Sequence, residues 1–117
     1  MKTILVVDDD ELLRSALVAN LERLGFRVVN ASDGARAVSL ASDVVPDVVL
    51  LDLVMPNMDG IETLSEIRRL LPNTRIVVMS GSGYGRHPMY LEMSLALGAH
   101  ATIQKPFTNE ELIATIG

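Results

Sequence analysis

Val48-Val49-Leu50-Leu51-Asp52 is the stretch on which the fold turns. Four apolar residues in a row are too few for a helix of ordinary length. As an extended chain they are apolar on both faces, which fits a strand covered on both sides in a parallel sheet flanked by helices. An Asp at the end of such a strand stands on the rim where open parallel sheets bind their ligands.

Working outward, residues 4–7, 27–31 and 75–79 repeat the short β-branched pattern, and residues 101–104 repeat it more weakly. The segments between them have a different period. Leu13, Leu17, Leu21 and Leu24 recur at spacings of three and four, as do Ile61, Leu64, Ile67 and Leu71, giving two amphipathic helices ended by Gly25 and Pro72. Ser32 or Asp33 offers a cap for a helix through Ala41, and Asp59 one for a helix starting near Gly60. Pro88 suits a first helical turn, and Thr108 with Glu111 three residues later has the form of a capping box. Strand and helix thus alternate through five pairs, the signature of βα units building a parallel sheet.

Asp8 and Asp9, Asp52, Ser80 and Lys105 all stand at or just after predicted strand ends. In a parallel sheet those ends converge on one rim, so residues far apart in the chain share one site. Unit charges ~4 Å apart repel by roughly 4 kcal/mol at an intermediate dielectric, so three adjoining carboxylates call for a cation. With oxygen ligands and no Cys or His beside them, Mg²⁺ is expected over zinc, and Mn²⁺ is the natural substitute. Mg²⁺ commonly bridges carboxylate and phosphate, and a carboxylate can accept a phosphoryl group. Asp52 on the central strand is the candidate nucleophile. Ser80 and Lys105 would meet the remaining phosphoryl oxygens. Singly, each residue has a plainer reading: Asp as turn former or helix cap, Ser as a solvated loop residue, Lys as surface charge. Their joint occurrence at four of five strand ends is what argues for a site.

The 117 residues carry a formal net charge of −5, with 49% hydrophobic and 21% charged residues. One compact domain is expected over residues 1–117, with no second core and no output domain visible. The acidic balance disfavours direct nucleic-acid binding, which needs clustered Lys and Arg. No cysteine is present, so neither disulfides nor a thiol nucleophile enter. The apolar run at residues 4–7 is too short for a signal peptide or membrane span, and a cytoplasmic protein is expected.

The segments Ile4-Leu-Val-Val-Asp-Asp-Asp10, Asp52-Leu-Val-Met-Pro-Asn-Met-Asp-Gly60, Val77-Val-Met-Ser-Gly81 and Lys105-Pro-Phe107 resemble the receiver domains of two-component response regulators, including the chemotaxis regulators. The likeness runs over essentially the whole chain. It implies a flavodoxin-like, doubly wound five-stranded parallel sheet of order 2-1-3-4-5, with two helices on one face and three on the other. It also implies Asp52 as phosphoacceptor, Asp9 and Asp52 as direct Mg²⁺ ligands, Asp8 as a ligand largely through water, and the Val54 carbonyl as a further ligand. Ser80 becomes the switch hydroxyl, Lys105 the phosphate-pairing lysine, and Pro106 the site of a typically cis bond. The implied partners are a histidine kinase or histidine phosphotransfer protein upstream and a protein target downstream, with a phosphorylation-dependent homodimer as one form of output. Such a domain catalyses only its own phosphorylation and dephosphorylation.

This chain departs from the family pattern in three places. Thr102 stands where the family usually has Tyr or Phe. The segment 81–87 is glycine-rich and carries Tyr84, a candidate surrogate ring. The final helix has only about nine residues after Thr108, short beside most relatives and suggestive of a trimmed chain. Segment 88–97 is expected to be the partner face, anchored by Leu91 and Leu95, with Met89, Tyr90 and Met93 presenting apolar side chains elsewhere. Three other readings of the chain compete. A flavodoxin-like cofactor carrier would share the fold, but its first loop holds phosphate with Ser, Thr and Gly, whereas three aspartates here would repel it. An aspartyl-phosphate hydrolase of the haloacid dehalogenase type would share the Asp8-Asp9-Asp10 run, but it needs a later acidic pair on a strand, whereas Glu110 and Glu111 fall on a predicted helix. A docking module independent of phosphorylation would leave the acidic site unused.

Overall fold

The computed structural model describes residues 1–53, 60–80 and 88–117, with side chains from residue 92 onward in the last segment. Five strands and five helices alternate: β1 (Thr3–Val7), α1 (Glu11–Arg23), β2 (Arg27–Ala31), α2 (Gly34–Val44), β3 (Val48–Asp52), α3 (Gly60–Leu70), β4 (Arg75–Ser80), α4 (Pro88–Ala96), β5 (Ala101–Gln104) and α5 (Asn109–Ile116). The strands form one parallel sheet of order β2-β1-β3-β4-β5. This is the flavodoxin-like arrangement.

The two-residue period of a strand divides the core cleanly. Leu5, Val7, Val49, Leu51, Ile76 and Val78 point to the face covered by α2 and α3, where they meet Ala37, Ala41, Leu64 and Ile67. Ile4, Val6, Val48, Leu50, Val77 and Met79 point to the opposite face, against Leu21 of α1 and Leu112 and Ile116 of α5. Helix α4 packs against α3 and β4. Residues 48–51 are buried because both faces of the central strand are roofed, which is why the run lacks any polar alternation.

Helix ends follow the local chemistry. Asp10 caps α1 by accepting from the Leu13 N–H, and Asp33 caps α2 by accepting from the Arg36 N–H. Helix α2 runs to Val44, beyond the expected end at Ala41, and stops at Val45 in the left-handed region, φ 50°. Both halves of the Thr108–Glu111 capping box form. The Lys105–Pro106 bond is cis. Gly60 donates its N–H to the Leu53 carbonyl at 2.7 Å, so close that a Cβ at residue 60 would overlap the Leu53 backbone. A side chain there would displace the residue that follows Asp52.

Two apolar positions sit differently from the expectation. Leu13, on the apolar stripe expected for α1, is 51% exposed, beside Leu12 at 83%. The helix turns Leu21 into the core, and residues 12 and 13 fall outside the arc that the sheet can cover. Leu95, expected to anchor α4, is 49% exposed, and the buried residue of that turn is Ser94. Helix α4 lies with its small polar residue inward, so Met93, Leu95 and Leu97 all keep exposed surface.

Candidate active site

Three consecutive aspartates leave β1, and the fold gives each a separate place. Asp8 continues the strand by donating its N–H to the Ala31 carbonyl at 3.2 Å, and its side chain is almost wholly buried. Asp9 is exposed and Asp10 is the α1 cap. Asp52 is the last residue of β3, in register with Met79 of β4, and it is half-buried. Carboxylate oxygens of Asp8, Asp9 and Asp52 lie within 4.8 Å of one another. Among the described residues this is the group of acidic side chains arranged to hold a metal ion. Its donors are all oxygen, which suits a hard divalent cation such as Mg²⁺ and gives zinc no soft ligand.

Lys105 follows the edge strand β5 and reaches this cluster with its side chain. Its ammonium donates to Asp8 Oδ2 at 2.6 Å and lies 3.7 Å from Asp52 Oδ2. The lysine backbone N–H donates to the Ser80 carbonyl at 2.7 Å, which fixes where the side chain starts. Asp8 also accepts from the Asp10 N–H at 3.0 Å, so its carboxylate is held from two sides. One ammonium facing three carboxylates leaves local negative charge, and a divalent cation would balance it.

Ser80 closes β4, opposite Gln104 of β5, and is buried. Strands β3 and β4 each run one residue beyond the ends expected at Leu51 and Met79. Asp52 and Ser80 are therefore pinned by the sheet ladder itself, which positions them more firmly than a loop would. Thr102 lies on β5 and is exposed. Met93 is exposed on α4. Val54, Pro56 and Tyr84, with the rest of residues 54–59 and 81–87, lie outside the described residues, as do the side chains of Met89, Tyr90 and Leu91.

One residue at the rim escaped sequence reading. Arg14, in the first turns of α1, turns its guanidinium back to the strand end, donating to the Asp8 carbonyl at 2.9 Å and to Asn30 Oδ1 at 3.0 Å. Neither contact has a sequence signature, because Arg14 and Asn30 meet only once β2 is laid beside β1.

Comparison with known proteins agrees with this geometry. A family model described as the response regulator receiver domain matches residues 4–117. The transcriptional regulatory protein CpxR of Klebsiella pneumoniae is 40% identical over 116 residues, covering 99% of this chain and 48% of that protein. The chain thus spans about half the length of such relatives. The chemotaxis protein CheY of Thermotoga maritima is 33% identical over 116 residues, covering 98% of this chain and 94% of that protein. Among solved structures, Vibrio cholerae CheY4 superimposes with a TM-score of 0.89 at 30% identity, covering 99% of this chain and 96% of that one. A response regulator from Burkholderia pseudomallei, solved with a phosphorylated aspartic acid, calcium ion and citrate, gives 0.91 at 28% identity, covering 100% of this chain and 67% of that one. With a family match running from the first buried residue of β1 to the end of α5, this chain belongs to the response regulator receiver domains of two-component signalling.

Proposed function

We propose that the chain takes a phosphoryl group onto Asp52 from a histidine kinase or a histidine phosphotransfer protein and uses the resulting change to alter binding to a downstream protein. The observation that carries this reading is the approach of the Asp8, Asp9 and Asp52 carboxylates to within 4.8 Å, with Lys105 bridging Asp8 and Asp52. In the reaction a carboxylate oxygen of Asp52 attacks phosphorus, forming an acyl phosphate. The bond from phosphorus to the donor imidazole breaks, and its electron pair stays on that nitrogen. Asp8, Asp9 and Asp52, with the Val54 carbonyl as a further ligand, would hold Mg²⁺, which would supply charge neutralisation for the phosphoryl group. Ser80 donates a hydrogen bond to a second oxygen. Lys105 swings from Asp8 to pair with a third. The receiver domain acts as a switch and turns over no separate substrate.

Thr102 has neither the ring nor the volume for an aromatic switch, so the reading sends the signal through residues 81–87 and α4, with Tyr84, Met89, Tyr90 and Met93 at the responding surface. The exposure of Met93, Leu95 and Leu97 supports a protein-binding role for α4. No helix among the described residues is long and apolar enough to cross a membrane.

The test is intact mass and peptide mapping after incubation with acetyl phosphate and Mg²⁺. One phosphoryl group should appear on Asp52, be absent in Asp52→Asn, and fail to form in excess chelator while the far-UV circular dichroism stays unchanged. An adduct on Asp8 or Asp9, or one persisting in Asp52→Asn, overturns the assignment. No adduct on the parent would favour the docking module instead.

A further inference from the structure

The proposed reaction employs Asp8, Asp9, Asp52, Ser80 and Lys105, and gives no task to the Arg14 guanidinium beside them. Arg14 is half-buried, and its two hydrogen bonds, from Nη1 to the Asp8 carbonyl at 2.9 Å and from Nε to Asn30 Oδ1 at 3.0 Å, leave the guanidinium locked between β1 and β2. Strand β2 therefore holds the main chain of residue 8 twice: its N–H directly, through the Ala31 carbonyl at 3.2 Å, and its carbonyl through Asn30 and Arg14. The carboxylate of the same residue is held independently by Lys105 and by the Asp10 N–H.

A peptide unit is planar, so gripping the carbonyl of residue 8 also sets the N and Cα of residue 9. Asp9 is the exposed member of the acidic trio, so the backbone from which it springs weighs more in where its carboxylate points. We infer that Arg14, braced by Asn30, is a positioning residue: it fixes the peptide plane between Asp8 and Asp9 and so aims the Asp9 carboxylate at the space shared with Asp52. Arginine suits this because its fork presents two donors at fixed angles to two acceptors on different strands, whereas one ammonium cannot reproduce that geometry. The inference rests on the reading of the acidic trio as a Mg²⁺ site.

The experiment is calorimetric titration of the full chain with Mg²⁺, without phosphodonor, for the parent, Arg14→Ala, Arg14→Lys and Asn30→Ala, each checked for fold by circular dichroism. Removing a partner that orients a metal ligand typically weakens the metal by 10- to 100-fold, and about tenfold is expected for Arg14→Ala. Arg14→Lys keeps the charge and the helical turn but should lose nearly as much, and Asn30→Ala should lose less in the same direction. Labelling by acetyl phosphate should return to the parental rate in all three once Mg²⁺ is raised, since the metal dependence shifts and the ceiling does not. If Arg14→Lys binds Mg²⁺ as tightly as the parent, charge alone suffices and the positioning role is overturned. Unchanged affinity in Arg14→Ala overturns it too, with the Mg²⁺ site itself left standing. A parent that binds no Mg²⁺ removes both.

Discussion

The two ends of the sheet treat charge in opposite ways. At the C-terminal ends of the strands three carboxylates crowd around one lysine. At the N-terminal ends, cations are matched to backbone carbonyls: Arg68 donates to the carbonyls of Gly98, Leu71 and Thr74, Arg75 to that of Thr115, and Lys2 to that of Gly117. Each of those bonds ties a turn or a helix end to the frame, and the Thr74 hydroxyl adds a buried bond to the Pro46 carbonyl. One end spends its cations on backbone carbonyls and so holds the molecule together. The other keeps like charges close, which costs stability and creates affinity for a cation, as functional sites commonly do.

Removing Arg68 should give the largest effect on this contrast. Its guanidinium links the end of α3, the turn before β4 and the turn after α4, and Arg68→Ala would take the donor from the Gly98 and Thr74 carbonyls and leave that of Leu71 with the Thr74 N–H alone. Hydrogen bonds from charged donors contribute about 1.5–3 kcal/mol each, some of which water restores, so a loss of about 3 kcal/mol is expected in urea unfolding. Mg²⁺ affinity should stay at the parental value because the site lies at the other end of the strands. A parallel fall in both would mean that the two ends are mechanically coupled.

Asp9→Asn should act in the opposite direction at the acidic end. Without metal the substitution relieves repulsion and should raise stability by about 1 kcal/mol, the size of a contact between like charges in a solvated setting. Adding Mg²⁺ should then stabilise the variant less than the parent, because ligand stabilisation follows affinity for the folded state. Thermal melts with and without Mg²⁺ check both signs. A lower melting temperature for the metal-free variant would contradict mutual repulsion at this rim.

The smallest expected effect is a pH dependence at the basic end. His100 Nδ1 accepts the Ile76 N–H at 3.1 Å, and burial together with the neighbouring Arg68 and Arg75 charges holds its pKa below the ordinary 6.5. As pH falls through 6.5 the unfolded imidazole takes up a proton that the folded one still refuses, so the unfolded state binds more protons and stability declines. That contribution is complete above the unfolded value and fades below it. His100→Gln should flatten this part of the stability profile between about pH 7 and 5, measured by denaturant melts. An unchanged slope would show that the carboxylates alone set it.

Much of the site was readable because its residues end strands, and strand ends announce themselves by a change from apolar to polar. Asp8, Asp9, Asp52 and Lys105, which the structure brings together, stand out that way. Periodicity failed where two apolar neighbours compete for one inward position: in the Leu12-Leu13 pair neither side chain reaches the core, and in α4 Ser94 takes the place expected for Leu95. A helical repeat specifies which residues share a face, whereas the neighbouring sheet and helices decide how wide an arc of that face is covered.

The alternation of strands and helices, the two-sided burial of β3, the Asp33 and Thr108 caps and the residue types at the rim were legible in the chain, because they follow from spacing and chemistry within a few residues. The order of the strands entered only through family likeness, since nothing in a strand's own pattern names its lateral neighbour. Tertiary structure alone decided that Lys105 rests on Asp8, 97 residues away, more closely than on Asp52, and that Arg14 reaches back to the Asp8 carbonyl through Asn30. Long side chains have many rotamers of similar energy, and the choice among them is made by acceptors that arrive only when distant strands are laid side by side.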